Sequence, residues 1–370
     1  KMNIVENKEA INDFIDCVIE ISDSVNSDNW NGEDVMGIFF NEFNRYKKKS
    51  ESGQVFTPDH ITSLMYKILE VNANDKILDA ACGSGAFLVK SMSNMIKEVG
   101  GINTKEAKKI QEHSLFGIEF DREIFALACA NMMIHKDGKT NLEQLDSRDK
   151  EASEWIKSKG ITKVLMNPPF ERKYGCKKIV ENVLNSVPSG IKCAFIMPEK
   201  KMEKDKMGKL LEKHHLEAII KLPEKLFDAG VTTSIYVFET GKKQVGEIYG
   251  CYIEDDGLER VKNQGRQDIK DKWMELENYW VDSIRKRNDT KYGTSQWIDP
   301  KKFLSYQKPK AEFVLYEEDF VKTMMNYLMF KNKIDVKEFS DKLINKTLYN
   351  SEILKEDNNI VIKIKDAEDE

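Results

Sequence analysis

Long apolar runs, paired cysteines and an excess of basic charge are all missing from this chain. No apolar stretch approaches the roughly 20 residues that a bilayer-spanning helix needs. The first residues are charged and polar and hold no apolar core, so no secretory signal is expected and a cytoplasmic protein is. The six cysteines, Cys17, Cys82, Cys129, Cys176, Cys193 and Cys251, include no Cys-x-x-Cys spacing. That argues against a zinc site or a disulfide framework, and they read as buried free thiols of a reducing compartment. No internal repeat is visible. Acidic residues outnumber basic ones, 63 to 58, for a net charge of -5. Any basic footprint for nucleic acid is therefore local, or shared with another chain.

What is present is an alternation of strand and helix patterns within 370 residues, 40% of them hydrophobic and 33% charged. Residues 1–52 read as helical: Ala10, Ile11, Phe14, Ile15, Val18 and Ile19 recur at helical spacing, and Val35, Ile38, Phe39, Phe43 and Tyr46 repeat the pattern. Residues 53–250 carry strand patterns near 76–80, 114–119, 142–146, 162–167, 192–197, 216–222 and 233–239. Strands separated by helical patterns predict an α/β architecture with a mostly parallel, doubly wound sheet. Residues 251–370 form a mixed C-terminal region. One amphipathic helix begins near Glu317 and runs through Phe320, Val321, Met324, Met325, Tyr327, Leu328 and Phe330. Its stripe reads most simply as core, with a partner-binding face as the sharper alternative. The acidic end, Asp366 to Glu370, is expected to be frayed.

Two motifs carry chemistry. In the first, Lys76-Ile77-Leu78-Asp79 runs into Ala80-Ala81-Cys82-Gly83-Ser84-Gly85 and resumes as a helix through Leu88, Met92 and Met95. This is the opening strand, turn and helix of a doubly wound sheet, where ligands sit at the carboxyl ends of the strands. The turn is not Gly-x-Gly-x-x-Gly and no Gly-Lys-Ser/Thr follows, so a dinucleotide or triphosphate cradle is poorly supported. Asp79 suits a ligand with an ammonium group. Glu119, ending Leu115-Phe116-Gly117-Ile118-Glu119, is placed to take both hydroxyls of a ribose. The second motif is Asn167-Pro168-Pro169-Phe170, which ends the apolar run Val164-Leu165-Met166. The Asn167 carboxamide oxygen and the Pro168 carbonyl can accept two hydrogen bonds from a planar amino group. Proline stiffens the turn, and an exposed Phe170 ring would stack on a flat base.

The order Gly53-Gln54-Val55-Phe56-Thr57-Pro58, then Asp79-Ala-Ala-Cys-Gly-Ser-Gly, then Gly117-Ile-Glu119, then Asn167-Pro-Pro-Phe resembles N6-adenine DNA methyltransferases. It looks closest to the modification subunit of type I restriction–modification systems, over roughly residues 33–250. The Gly-Gln-x-Phe-Thr-Pro hexapeptide makes the match specific. The resemblance implies the class I methyltransferase fold, with the last strand inserted antiparallel, and S-adenosyl-L-methionine as cofactor. It implies a catalytic turn of Asn167, Pro168, Pro169 and Phe170. For the cofactor it implies Phe56, Thr57 and Pro58 in the hexapeptide, and Asp79, Ala81, Gly83, Ser84, Gly85 and Phe87 along the first turn. Glu119 for the ribose, Phe120 against the adenine, Asp146 (with Asp149 as rival) near the adenine amino group, and Asn167 complete the set. The implied partners are double-stranded DNA, a separate specificity subunit and a restriction subunit. No metal is required.

Competing readings are a methyltransferase acting on a glutamine amide or an rRNA base, and a non-catalytic cofactor-binding scaffold. Between Leu258 and Lys310, thirteen Lys/Arg stand against eight Asp/Glu, a local balance of +5. Trp273, Tyr279, Trp280, Tyr292, Trp297 and Tyr306 are interleaved with Arg285-Lys286-Arg287. This stretch reads either as a phosphate-docking surface or as a solvated surface with its own small aromatic core.

Overall fold

A computed structural model of the chain describes residues 8–25, 27, 32, 34–38, 57–135, 141–170, 175–203, 208–224, 226–227, 231–261, 265–288, 294–309, 316–349, 351–356 and 359–364. The chain divides into two compact units, Lys1–Gln307 and Lys308–Glu370.

The first unit is built on a nine-stranded sheet. Its strands are β1 (Ile77–Asp79), β2 (Leu115–Glu119), β3 (Leu142–Gln144), β4 (Lys163–Met166), β5 (Lys192–Pro198), β6 (His215–Lys221), β7 (Thr233–Glu239), β8 (Ile248–Tyr252) and β11 (Ser295–Ile298). A separate hairpin is formed by β9 (Glu259–Val261) and β10 (Gly265–Gln267). The sheet order is β11-β8-β6-β7-β5-β4-β1-β2-β3. Strands β1 to β5 run parallel, and β7 inserts antiparallel between β5 and β6. All seven expected strands form. Two more, β8 and β11, were not visible in the alternation, because β11 returns from about forty residues downstream to pair antiparallel with β8. The boundary expected at residue 250 thus falls inside β8.

Strands buried on both faces read as continuous apolar runs, and alternate residues feed opposite layers. Ile77, Leu165, Ala194 and Ile196 face one core, with α2 (Asp59–Ile68), α3 (Ala86–Glu98), α4 (Lys105–His113), α5 (Arg122–Ile134) and α8 (Trp273–Lys286). Leu78, Val164, Met166 and Phe195 face the other, with α6 (Lys150–Lys159) and α7 (Cys176–Ser186). Helix starts follow local chemistry. The Asp121 carboxylate accepts from the Glu123 and Ile124 amides at the head of α5, and Thr104 caps α4. Glycine in the middle of β2 has a packing reason. A Cβ on Gly117 would lie 2.5 Å from Leu142 Cδ2 and 3.0 Å from Leu88 Cδ1.

The N-terminal helical pattern is present as α1 (Lys8–Val25) and a helical turn at residues 35–38; Phe39, Phe43 and Tyr46 lie outside the described residues. Of the cysteines, Cys82, Cys176, Cys193 and Cys251 are buried, but Cys129 is half-buried and Cys17 is exposed, contrary to the all-buried expectation. The second unit holds α9 (Glu317–Lys331), α10 (Val336–Tyr349) and a hairpin of β12 (Ser351–Glu356) and β13 (Asn359–Ile364). Its first helix corrects the core reading of the methionine stripe. Phe320, Met324, Tyr327, Leu328 and Phe330 are all exposed. Asp366–Glu370 lie outside the described residues.

Candidate active site

The carboxyl ends of adjacent β1, β2 and β4 bring the two sequence motifs to one edge, with neighbouring strands about 4.8 Å apart. Sharp turns follow β1 because Gly83 and Gly85 adopt φ of +56° and +94°, which glycine tolerates without a Cβ penalty. Gly85 is the N-cap of α3. A Cβ built on Gly83 would meet no atom within 4 Å among the described residues, so this side of the turn is open.

The turn is held by polar contacts on both flanks. Glu119 Oε2 accepts from the Gly83 amide at 3.0 Å, and its Oε1 accepts from the Asp121 amide at 2.9 Å. Two carboxylate oxygens have about four acceptor sites, so lone pairs remain for hydroxyl donors. Burial raises the Glu119 carboxyl pKa, opposed by its backbone hydrogen bonds. Asp79 is 1% exposed, and its Oδ1 accepts from the Ala81 amide at 3.1 Å. Burial, then the negative charge of Glu119, push its pKa up to about 8, with the Ala81 amide opposing. Among the described residues no cationic side chain pairs with it.

On the opposite flank lies a contact that sequence reasoning missed. Ser84 is buried, and its hydroxyl donates to Asp34 Oδ2. Asn131 Nδ2, from α5, donates to Asp34 Oδ1 and to the Ser84 carbonyl, each at 2.8 Å. Burial raises the Asp34 pKa, while its hydrogen bonds from Ser84, Gly37 and Asn131 lower it. Nothing in the local sequence around Asp34 signals a partner fifty residues away.

At the end of β4, Asn167 Nδ2 donates to Thr57 Oγ1 at 2.9 Å. This orients the carboxamide and leaves Asn167 Oδ1 buried without a hydrogen-bond partner among the described residues. Such an orphan acceptor costs about 1–3 kcal/mol unless a ligand meets it. Pro168 is buried and Pro169 half-buried. Phe170 departs from expectation: it is 8% exposed, not open, because the ring of Phe227 packs edge-on at 5.4 Å.

The remaining expected residues divide. Phe120 is 57% exposed, with the Arg148 guanidinium 5.8 Å from its ring centroid. Asp146 lies two residues past β3 and is taken by Arg148, whose Nε donates to Oδ1 at 2.8 Å. Those hydrogen bonds hold the Asp146 pKa low. Its rival Asp149 is exposed at the head of α6. The side chain of Phe87 is buried in the core and lines no open surface. Pro58 precedes α2, and Phe56 lies outside the described residues. The aromatics of residues 258–310 form neither an open surface nor a small core of their own: Trp280 is buried in the main core, Trp273 packs on His60 at 4.9 Å, and Tyr306 is buried beside Tyr252 of β8. Trp297 is exposed; Tyr292 lies outside the described residues.

A parallel sheet with one inserted antiparallel strand, a glycine turn after β1 and an acidic residue ending β2 define the class I methyltransferase fold. Solved structures agree on that fold. A modification subunit of a putative type I restriction enzyme from Vibrio vulnificus YJ016 aligns with a TM-score of 0.58 and 20% identity, over 74% of this chain and 63% of that one. Residues 31–189 match the N-6 DNA Methylase family model. The resemblance read from the motif order is thereby borne out. Among curated proteins, the type II restriction enzyme and methyltransferase RM.BcgI of Heyndrickxia coagulans is 30% identical over 340 residues, 84% of this chain and 51% of that protein. The type I restriction enzyme EcoEI methylase subunit of Escherichia coli is 22% identical over 215 residues, 52% of this chain and 43% of that one. The chain spans about half the length of these curated relatives.

Proposed function

We propose that this chain transfers a methyl group from S-adenosyl-L-methionine to the N6 amino group of an adenine flipped out of double-stranded DNA, as the modification subunit of a restriction–modification system. The observation that carries the reading is the buried Asn167 oxygen, unpartnered among the described residues, beside an open glycine turn on the same sheet edge. The residues fit the cofactor. Asp79 is a buried carboxyl group that the cofactor's ammonium would draw into its charged form, Glu119 has lone pairs for its ribose, and Phe120 offers a ring to its adenine. When bound, the cofactor supplies an electrophilic methyl group.

The protein's share of the chemistry is positioning. The adenine amino nitrogen is a weak nucleophile because its lone pair is delocalised into the ring. Thr57 fixes the Asn167 carboxamide, so Asn167 Oδ1 and the Pro168 carbonyl accept the two amino hydrogens and favour a pyramidal nitrogen. Its lone pair then points at the methyl group. Such preorganised alignment supplies most of the rate. Extruding the base costs a few kcal/mol.

We further propose that a separate specificity subunit docks on the exposed stripe of α9, since this acidic chain shows no reading element among its described residues. The decisive test is Asn167→Ala, assayed for methyl transfer and for cofactor binding by calorimetry. Transfer should be lost while cofactor affinity stays near wild type. A variant retaining more than about a tenth of the rate, a barrier change under ~1.4 kcal/mol, contradicts the assignment. Methylation of RNA or of a glutamine amide in place of DNA adenine would redirect the substrate class.

A further inference from the structure

The glycine turn after β1 is gripped from outside the catalytic sheet by a segment that no catalytic motif includes. Gly32 has φ +78°, and a Cβ there would lie 2.7 Å from Ser93 Cβ and 3.2 Å from Lys90 Cα, so the chain passes tightly over α3. Two residues later, Asp34 Oδ1 accepts from the Gly37 amide at 2.8 Å, capping the helical turn at residues 35–38. The same carboxylate takes the Ser84 hydroxyl and the Asn131 amide. Asn131 also donates to the Ser84 carbonyl, so the hydroxyl and the carbonyl of Ser84 are both fixed through one pair of residues. Gly37 is small for this purpose. A Cβ on it would stand 2.1 Å from Asp34 Oδ2 and drive the carboxylate away.

We infer that Asp34, backed by Asn131, is a positioning residue of the cofactor site, fixing the part of the turn that receives the amino-acid portion of S-adenosyl-L-methionine. The N-terminal segment is thus a working component of that site. This rests on the cofactor reading of the glycine turn proposed above. Asp34 acts through Ser84 and makes no contact with the nucleoside end, which meets Glu119 and Phe120 on the other flank. The two ends of the ligand therefore report separately on it.

The test titrates the full chain with S-adenosyl-L-methionine and with 5′-methylthioadenosine, which has the nucleoside and sulfur but no amino-acid part. Asp34→Ala should weaken the first about tenfold, the loss expected for a charge-assisted hydrogen bond network, and the second less than twofold. Gly37→Ala should do the same, although alanine is the better helix former. Should Asp34→Ala fail to fold, Gly37→Ala decides alone. Unchanged affinity for the full cofactor, or an equal loss for both ligands, overturns the inference. A wild-type chain that binds neither ligand overturns the cofactor reading beneath it, which separates the two failures.

Discussion

At the scale of single residues, the site concentrates polar groups in places where water cannot reach them. Asp79 is the sharpest case. Its carboxyl pKa is raised from 3.8 to about 8, chiefly by burial, so the folded chain holds its proton more tightly than the unfolded one does. That contribution to stability is complete below about pH 4 and is lost as pH rises through about 8, at ~1.4 kcal/mol for each pH step of one between those limits. Chemical denaturation of the cofactor-free chain across this window should show falling stability. Asp79→Asn keeps an acceptor for the Ala81 amide and should flatten the profile; an equally steep profile in the variant would assign the slope elsewhere. Phe170 is the second case. Because it is buried against Phe227, Phe170→Ala should cost about 3–5 kcal/mol of stability as well as activity. Phe170→Tyr restores a ring and should recover most of both, read by thermal melting alongside methyl transfer. The sequence named both residues, but it placed Phe170 at the surface, since a local motif does not reveal that Phe227 closes over it from the loop after β6.

At the scale of elements, most of the seven strands were legible as short apolar runs bounded by turns or helical patterns, although β3 is Leu142-Glu143-Gln144 and no helix separates β6 from β7 among the described residues. The strands β8 and β11 were not, since their pairing joins segments that are far apart in sequence. Packing between elements also explains a residue that propensity does not. Gly117 interrupts a strand, yet Leu88 of α3 and Leu142 of β3 fill the place of its side chain. Gly117→Ala should therefore destabilise the chain by about 1–3 kcal/mol through overpacking. A variant that melts at or above the wild-type temperature would show that this contact has slack.

At the scale of the whole molecule, charge and exposure point to work done in company. The net charge is -5, whereas phosphate contacts that position a duplex need local positive charge. Several basic residues near the C-terminal end of the large unit are already paired, as Arg287 is with Glu217 at 3.3 Å and Lys270 with Glu259. Meanwhile α9 exposes Phe320, Met324, Tyr327 and Leu328 on one short helix, an apolar display of the kind that marks an interaction surface. The isolated chain should bind cofactor but methylate DNA weakly. A specificity partner should restore site-specific transfer, and Met324→Asp with Leu328→Asp should abolish co-purification with that partner. Robust methylation of one defined sequence by the chain alone would move recognition into this polypeptide.

The sequence by itself determined the parallel sheet, the glycine turn and the Asn-Pro-Pro-Phe corner, because each depends on residues adjacent in the chain and on backbone preferences of glycine and proline. Only the tertiary structure decided which groups meet. It joined Thr57 to Asn167 across 110 positions, closed Phe227 over Phe170, and set Asp34 on Ser84 across 50. Hydrogen bonds and ring contacts of this kind depend on where the sheet brings distant segments together, and no periodicity in the chain encodes that.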